Sequence, residues 1–232
     1  MKLPIFIGVV ACSLSLSAAA DWSNEVEFGA VVTTGNTEQE NFKLTAASIF
    51  DGTKIKHTGN FDALRSAEND VTTAEKYFLS YQADWKLDER QSLFGRLAYE
   101  DDRFSGFAYQ ADATAGYSRI LFDNATMELS GDIGGGFRRS EEELSGATET
   151  EFITRLAAEY TWQLSESAKF RQYLAAEIGE ESTITRSETS LQSTVVGALA
   201  MKLALKIKHQ SEVPLGRDKT DTETSVTLVY SF

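Results

Sequence analysis

The chain ends in residues 220–232, TDTETSVTLVYSF, and this stretch decides the fold class. Every second residue falls on one mostly apolar face: Thr222, Thr224, Val226, Leu228, Tyr230 and Phe232. The residues between them are polar, with Val229 as the exception. Alternation sustained over this length predicts a β-strand that has one apolar and one polar face.

The same alternation recurs along the chain and predicts an all-β protein of about twelve strands. The predicted strands run over 22–34, 38–50, 54–66, 74–87, 91–104, 107–121, 125–138, 148–164, 168–180, 184–199, 201–213 and 220–232. Turn signals such as Asp51-Gly52 and Asp123-Asn124 separate them, and the turn near Ala200 has the weakest signal. Longer polar connections are expected near 66–74, 139–148 and 180–188.

Three further features favour a barrel that displays its apolar face to lipid. Trp22, Trp85 and Trp162 all fall at the same end of the strands, as in the aromatic girdle of a membrane barrel. The turns at that end are short, and an even number of strands brings both chain ends there. Tyr230 and the terminal Phe232 resemble the signal that the outer-membrane assembly machinery reads. We therefore predict a transmembrane, antiparallel, up-and-down β-barrel, because a sheet in lipid must close to pair its backbone groups.

Residues 1–20, MKLPIFIGVVACSLSLSAAA, have the pattern of a cleaved signal peptide. Lys2 forms a short positive region, an apolar run follows, and Ala18-Ala19-Ala20 provides small residues before a predicted cleavage at Asp21. We expect residues 1–20 to be the signal and 21–232 to be the barrel. The alternative is a lipoprotein in which Cys12 is lipidated.

The composition excludes several classes of protein. Lys and Arg number 22 against 35 Asp and Glu, so the net charge of −13 argues against a general nucleic-acid binder. A hydrophobic content of 42% argues against a disordered acidic tail. Cys12 is the only cysteine, so the predicted barrel can form no disulfide and no cysteine metal site.

The predicted polar face carries acids and bases in comparable numbers. The candidate lumen residues are Lys43, Lys56, Asp62, Lys76, Asp84, Arg96, Glu100, Asp102, Asp112, Asp132, Arg155, Glu159, Arg171, Glu177, Lys202, Lys206, Lys208 and Glu223. Two interpretations stay open. These charges either pair across strands and brace a nearly closed barrel, or line a narrow aqueous passage that orients small polar solutes.

The remaining acidic residues concentrate in the connections, as in Glu141-Glu142-Glu143 and Glu180-Glu181. A solvated acidic surface is the ordinary interpretation. The alternative is divalent-cation bridging to lipopolysaccharide, or attraction of cations towards a pore mouth. No loop has the spacing of an EF-hand, so we predict no metal ligand and no cofactor.

Nothing in the pattern indicates catalysis. His57 and His209 both fall on the predicted lipid face, where neither can serve a nucleophile in the lumen. The run Gly134-Gly135-Gly136 lies inside a predicted strand and not before a helix, which excludes a phosphate loop and favours close packing or a bend. We therefore expect no enzyme and no catalytic residue.

Two stretches resemble the bacterial family called domain of unknown function 481. One is Thr33-Thr34-Gly35-Asn36-Thr37-Glu38, in which Gly35, Asn36 and Thr37 form the core. The other is residues 74–107, with the run Asp102, Arg103, Phe104, Ser105, Gly106 and Phe107. The resemblance extends over 21–232 and implies an outer-membrane barrel without a known activity. Some members are labelled salt-induced outer membrane proteins, which implies a link to salt or osmotic stress.

The sequence as a whole predicts a passive function in the outer membrane of a Gram-negative bacterium. The first hypothesis is a small pore or envelope component that admits small ions or polar solutes. The second is a non-conducting structural or binding barrel that uses its acidic outer loops. The expected partners are membrane lipid, lipopolysaccharide and the barrel assembly machinery, and no nucleic acid.

Overall fold

The computed structural model of the protein describes residues 21–34, 39–68, 71–103 and 105–232. These residues form twelve antiparallel strands, each paired with its neighbours along the chain. The strands are β1 Asp21–Thr34, β2 Gln39–Asp51, β3 Ile55–Glu68, β4 Val71–Lys86, β5 Gln91–Asp102, β6 Phe107–Asp123, β7 Met127–Glu142, β8 Thr148–Gln163, β9 Ala168–Gly179, β10 Thr183–Val196, β11 Leu199–Gln210 and β12 Thr220–Ser231. The sheet closes on itself, so the predicted up-and-down barrel is confirmed. The predicted signal segment 1–20 lies outside the described residues.

The seam of the barrel joins β1 to β12. Their register runs from Glu25 opposite Ser231 to Thr34 opposite Thr222. Beyond it, the backbone of Asn24 donates to the Phe232 carbonyl at 3.0 Å and accepts from the Phe232 amide at 2.9 Å. The last residue of the chain is therefore part of the closure, and neither β1 nor β12 is left as an open edge.

The polarity of the barrel is inverted relative to that of a water-soluble protein. On the outside, Phe28 and Leu228 are 58% and 49% exposed, whereas Glu27 and Thr227 on the inner face are 7% and 2% exposed. Val229, the exception in the sequence pattern, points inward and is fully buried. A continuous apolar outer surface with a fully paired backbone suits lipid and not water.

Aromatic side chains form a belt at each end of this outer surface. Trp22, Trp85 and Trp162 lie at one end, which we call the tryptophan end. The Trp22 ring packs 4.9 Å from that of Phe50, centroid to centroid. At the opposite end, which we call the loop end, the ring of Tyr99 packs on that of Tyr109 and the ring of Phe137 on that of Phe152. No helix among the described residues is long and apolar enough to cross a membrane.

The connections at the loop end are shorter than expected. The expected long connections near 66–74, 139–148 and 180–188 were wrong, because the strands continue into all three. The polar residues of these stretches extend the strands. Only 143–147 connect β7 to β8, and only 180–182 connect β9 to β10. The longest connection among the described residues is 211–219, between β11 and β12. At the tryptophan end, the turn expected near Ala200 lies at 197–198, because Gly197 adopts a left-handed φ of 55°.

The triple glycine of β7 allows close packing inside the barrel. A Cβ on Gly136 would lie only 1.9 Å from the Ala113 carbonyl oxygen of β6. One on Gly134 would lie 2.8 Å from the ring of Phe94, which is 3% exposed on the inner face. The glycines therefore let β6 approach β7 and make room for an inward-facing aromatic ring, as their place inside a strand predicts.

Candidate functional site

The candidate site is the charged inner face of the barrel. Strand register places every candidate lumen residue named above on this face, since directly paired residues share a face. Most of them join a network of ion pairs, which has two parts that differ in their access to water. The first part is dry, and the second is open to solvent.

The dry part of the network lies on the wall formed by β5, β6, β8 and β9, and we call it the dry cluster: Arg96, Asp112, Arg155 and Glu177. Arg96 pairs with Asp112 at 2.6 Å and approaches Glu177 at 3.7 Å. Arg155 pairs with the same Glu177 carboxylate at 2.9 Å. The Glu177 side chain is only 1% exposed and the Arg155 side chain 3%, so water is excluded here. Two arginines on one buried carboxylate keep each of these charges compensated.

Glu100 links opposite walls of the barrel. From β5 it accepts from Arg186 of β10 at 2.8 Å and from Lys208 of β11 at 2.7 Å. Lys76 of neighbouring β4 lies 3.4 Å from the same carboxylate. Because β5 and β11 are six strands apart around the barrel, these side chains reach across the lumen.

A second set of pairs lies on the walls formed by β1, β2, β3, β10, β11 and β12. Lys206 bonds Asp62 at 3.0 Å and approaches Glu188 at 3.5 Å. Lys202 pairs with both Glu27 at 2.9 Å and Glu188 at 3.2 Å. In addition, Lys43 lies 3.4 Å from Asp62 and bonds Glu223. Acids and bases thus alternate on this side of the lumen.

Part of this charged surface stays accessible to water, and we call it the wet strip: Asp62, Lys76, Glu159, Arg171 and Lys206. The exposed fractions of these side chains range from 22% for Asp62 to 39% for Glu159. Lys76 lies towards the loop end, Lys206 further in, and Arg171 with Glu159 towards the tryptophan end. Glu188 connects Lys206 to Arg171, which it approaches at 3.5 Å. The strip therefore places partly exposed charges at several depths of the lumen.

The connection 211–219 crosses the mouth at the loop end. A Cβ on Gly106, in the β5–β6 turn, would lie 3.0 Å from side-chain atoms of both Pro214 and Arg217. Arg217 also approaches Glu143 of the β7–β8 connection at 3.8 Å. The β5–β6 and β11–β12 turns lie on opposite sides of a twelve-stranded ring, so this connection, which we call the cover loop, spans the opening.

The run 102–107 builds the turn on which the cover loop rests. Asp102 faces the lumen 3.5 Å from Lys76, and Arg103 is exposed and pairs with Glu75 at 3.1 Å. Ser105 donates to the Asp102 carbonyl at 2.7 Å and Gly106 has a left-handed φ of 86°, which together form the tight turn. Gly35, Asn36, Thr37 and Phe104 lie outside the described residues.

The two histidines and the C-terminal aromatic residues lie on the outer face of the barrel, as the alternation predicts. His57 and His209 face outward, where their Nδ1 atoms bond Tyr81 at 2.6 Å and Thr220 at 2.8 Å. Tyr230 and Phe232 also face outward, with ring centroids 5.7 Å apart. Within the described ranges, no three His, Cys, Asp or Glu residues are grouped so that they could hold a metal ion.

Among the described residues, the lumen charges that escaped the sequence analysis include Glu27, Arg138, Arg186 and Glu188. Arg186 and Glu188 fall where the expected connection 180–188 overlaps the predicted strand 184–199. In the β10–β11 register they lie opposite the inward-facing Lys208 and Lys206, so pairing the two predicted strands would have placed them in the lumen. Arg138 is the last residue of the predicted strand 125–138, and counting by two from Asp132 would have placed it inward. It is 2% exposed and pairs with Glu151 at 2.6 Å.

Comparison with known proteins places the chain in a family. The sequence profile of Protein of unknown function, DUF481 matches residues 26–232. A relative from Escherichia coli (strain K12), the uncharacterized protein YdiY, is 26% identical over 216 residues, which cover 93% of this chain and 85% of the relative.

Solved barrels resemble the fold at low sequence identity. The NanC porin superposes with a TM-score of 0.60 at 10% identity, covering 88% of this chain and 98% of that one. The KdgM porin in complex with disordered oligogalacturonate gives 0.50 at 10% identity, covering 90% and 99%. The translocator domain of the autotransporter NalP from Neisseria meningitidis gives 0.51 at 10% identity, covering 94% and 91%. These likenesses agree with the closed barrel, and the profile match shows that the chain belongs to the DUF481 family, proteins of unknown function.

Proposed function

We propose that this protein is a narrow passive pore of the bacterial outer membrane. The observation that carries the proposal is the wet strip, a set of partly exposed charges at several depths of the lumen. A soluble barrel would fill this space with apolar side chains, whereas here the inner face is polar and the outer face apolar. Resemblance to two porins supports a pore as an analogy of fold.

The outer membrane is the compartment that suits these features. The apolar outer surface and its two aromatic belts match the two interfaces of a bilayer. We propose that residues 1–20 direct export and are removed before Asp21, which N-terminal sequencing of the protein from membranes would test. We further propose that Tyr230 and Phe232 are read by the assembly machinery, and that lipopolysaccharide surrounds the loop end.

The solutes that fit the wet strip are small ions and small polar molecules. Acidic and basic side chains alternate along it, so a dipolar solute meets a partner for each of its ends. Opposite-wall contacts at Glu100 and the cover loop leave little width, which excludes large solutes. We propose transport by diffusion, without a reaction.

Ion preference in planar bilayers tests this assignment. Lys206 lies on the wet strip, so Lys206→Glu reverses one charge on the passage and should shift the reversal potential in a KCl gradient towards cation preference. Lys54→Glu makes the same charge change in an exposed turn at the tryptophan end and should shift it less. An equal shift for both variants would place the passage elsewhere.

A second candidate is a non-conducting structural barrel. The observations that favour it are the dryness of the cluster around Glu177 and the cover loop across the mouth. Heat-modifiable migration on a gel would show that the barrel is folded. Folded protein without any conductance would favour this second function over the pore.

A role in salt or osmotic stress completes the proposal. It rests on the family resemblance, and its test is the amount of the protein in membranes of cells grown with and without added NaCl. An unchanged amount would remove this part of the proposal and leave the pore untouched.

A further inference from the structure

We propose that Arg186 is the constriction residue of the lumen, tying β10 to β5 and holding the dry cluster shut. The inference rests on the proposed pore function and names the side chain that sets the width of the passage. Three observations support this role: the two carboxylates that Arg186 binds, the strands on which they lie, and the buried Ala175 opposite Arg186 on β9.

The Arg186 guanidinium bridges two buried carboxylates. Nη1 donates to Glu177 at 2.7 Å and Nη2 donates to Glu100 at 2.8 Å. The guanidinium carbon also lies 6.0 Å from the ring centroid of Phe78, another inward side chain. Two charge-assisted bonds and an aromatic face hold this side chain in one position.

The two carboxylates lie on different sides of the lumen. Glu177 is on β9, next to β10, whereas Glu100 is on β5. Between β5 and β10 the shorter path around the barrel is five strands and the longer is seven, so the Arg186–Glu100 bond is a bar across the opening. Such a bar separates the dry cluster from Asp62, Lys76 and Lys206, the wet-strip residues of β3, β4 and β11.

The bar covers a region that water does not enter. Ala175 of β9 is the direct register partner of Arg186 and is 4% exposed on the inner face. Glu177, two residues along β9, is 1% exposed. Removing the guanidinium should therefore open the dry side and widen the passage.

The barrel should tolerate Arg186→Gln, because neither carboxylate depends on Arg186 alone. Glu100 keeps Lys208 and Lys76, and Glu177 keeps Arg155 and Arg96 as neighbours. Charges that retain a partner avoid the large penalty of an isolated buried ion.

Arg171→Gln is the matched control. Arg171 also points into the lumen, and its partners are Glu159 of β8 and Glu188 of β10, the two neighbours of its own strand. The control removes the same charge from the same lumen and breaks no bond across it. Both variants should shift ion preference towards cations, but Arg186→Gln should enlarge the single-channel step clearly more than Arg171→Gln does.

A second measurement does not depend on conduction. The parent protein has Cys12 as its only cysteine, outside residues 21–232, so Ala175→Cys introduces the one thiol of the barrel. In folded protein purified from membranes, a water-soluble methanethiosulfonate reagent should label it slowly. Adding Arg186→Gln should accelerate labelling at least about tenfold, since thiol exchange depends on access. Ala47→Cys, at a partly exposed inner position, checks that the reagent reaches the lumen.

The outcomes separate the two proposals. A larger increase of the step in Arg186→Gln than in Arg171→Gln, together with faster labelling, supports the bar. Unchanged steps and unchanged labelling, or equal enlargement in Arg171→Gln, overturn it while the pore stands. If parent and variants are all silent but labelling still accelerates, the pore fails and the bar holds. If neither conductance nor labelling responds, both fail.

Discussion

At the scale of single residues, burial decides how much a lumen charge matters. Glu177 and Glu159 are both lumen glutamates paired with arginine, yet their side chains are 1% and 39% exposed. An ion pair in contact with water adds little stability, because solvent already satisfies both charges. A buried pair is costly to break, because the remaining charge has no water to replace its partner.

Glu177→Gln should therefore destabilise the barrel far more than Glu159→Gln. We expect the free energy of unfolding to fall by about 3–5 kcal/mol for the first, since the buried Arg155 loses the carboxylate with which it pairs. For the second we expect a loss of less than about 1 kcal/mol. Urea unfolding in lipid vesicles, followed by tryptophan fluorescence, measures both. Equal losses would mean that the dry cluster is wet in the membrane.

The sequence predicts where these residues point but not how they pair. Alternation assigns a face to Glu100 and to Lys208, because the side-chain period of a strand is two. Their contact across the barrel depends on closure and strand tilt, which no local pattern encodes. The exposed fraction of each lumen side chain also depends on closure and strand tilt. The sequence therefore does not separate the dry cluster from the wet strip.

At the scale of strands, the three glycines of β7 weaken the strand locally but allow close packing in the barrel. Its glycines weaken a strand in isolation, because they contribute no side chain to the sheet. In the barrel, a side chain at Gly136 would collide with the backbone of β6. The sequence predicts this close packing, whereas the inward ring of Phe94 that uses the space was not predicted.

Gly136→Ala and Gly95→Ala form a matched pair for this account. A Cβ at Gly136 would lie 1.9 Å from a carbonyl oxygen, whereas one at Gly95 of β5 meets nothing within 4 Å. We expect Gly136→Ala to lower the free energy of unfolding by about 1–3 kcal/mol through overpacking. Gly95→Ala should leave it nearly unchanged. The same urea titration decides, and indistinguishable midpoints would refute the close approach of β6 and β7.

The connections are the elements that the sequence predicts least well. Polar residues at the loop end were expected to form long loops near 66–74, 139–148 and 180–188, but they extend the hairpins. Outside the bilayer both faces of a strand are polar, so alternation no longer marks where a strand ends. The cover loop was not predicted as a long connection, and its contact with Gly106 joins distant parts of the chain.

Gly106→Ala should loosen the cover loop. Gly106 and Gly146 both have a left-handed φ, so alanine costs backbone strain at either position. Only at Gly106 does the added methyl group meet Pro214 and Arg217. We expect faster trypsin cleavage after Arg217 and Lys219 in Gly106→Ala and little change in Gly146→Ala. Identical cleavage rates would show that the loop does not rest on this turn.

At the scale of the whole molecule, the sequence predicts the architecture because one rule acts on every strand. Lipid outside requires an apolar face, a closed sheet requires full backbone pairing, and the period of two connects both requirements to the residues. The strand count, the closure and the inverted polarity all follow. The width of the lumen does not, since it depends on long side chains that meet in the middle.

Single-channel recording of the folded parent protein in a planar bilayer decides between the pore and a closed barrel. The proposed pore uses the wet strip as an aqueous path beside the dry cluster. It predicts small, reproducible conductance steps whose ion preference shifts in Lys206→Glu. Protein that migrates as a folded barrel on a gel and yet carries no current would contradict it.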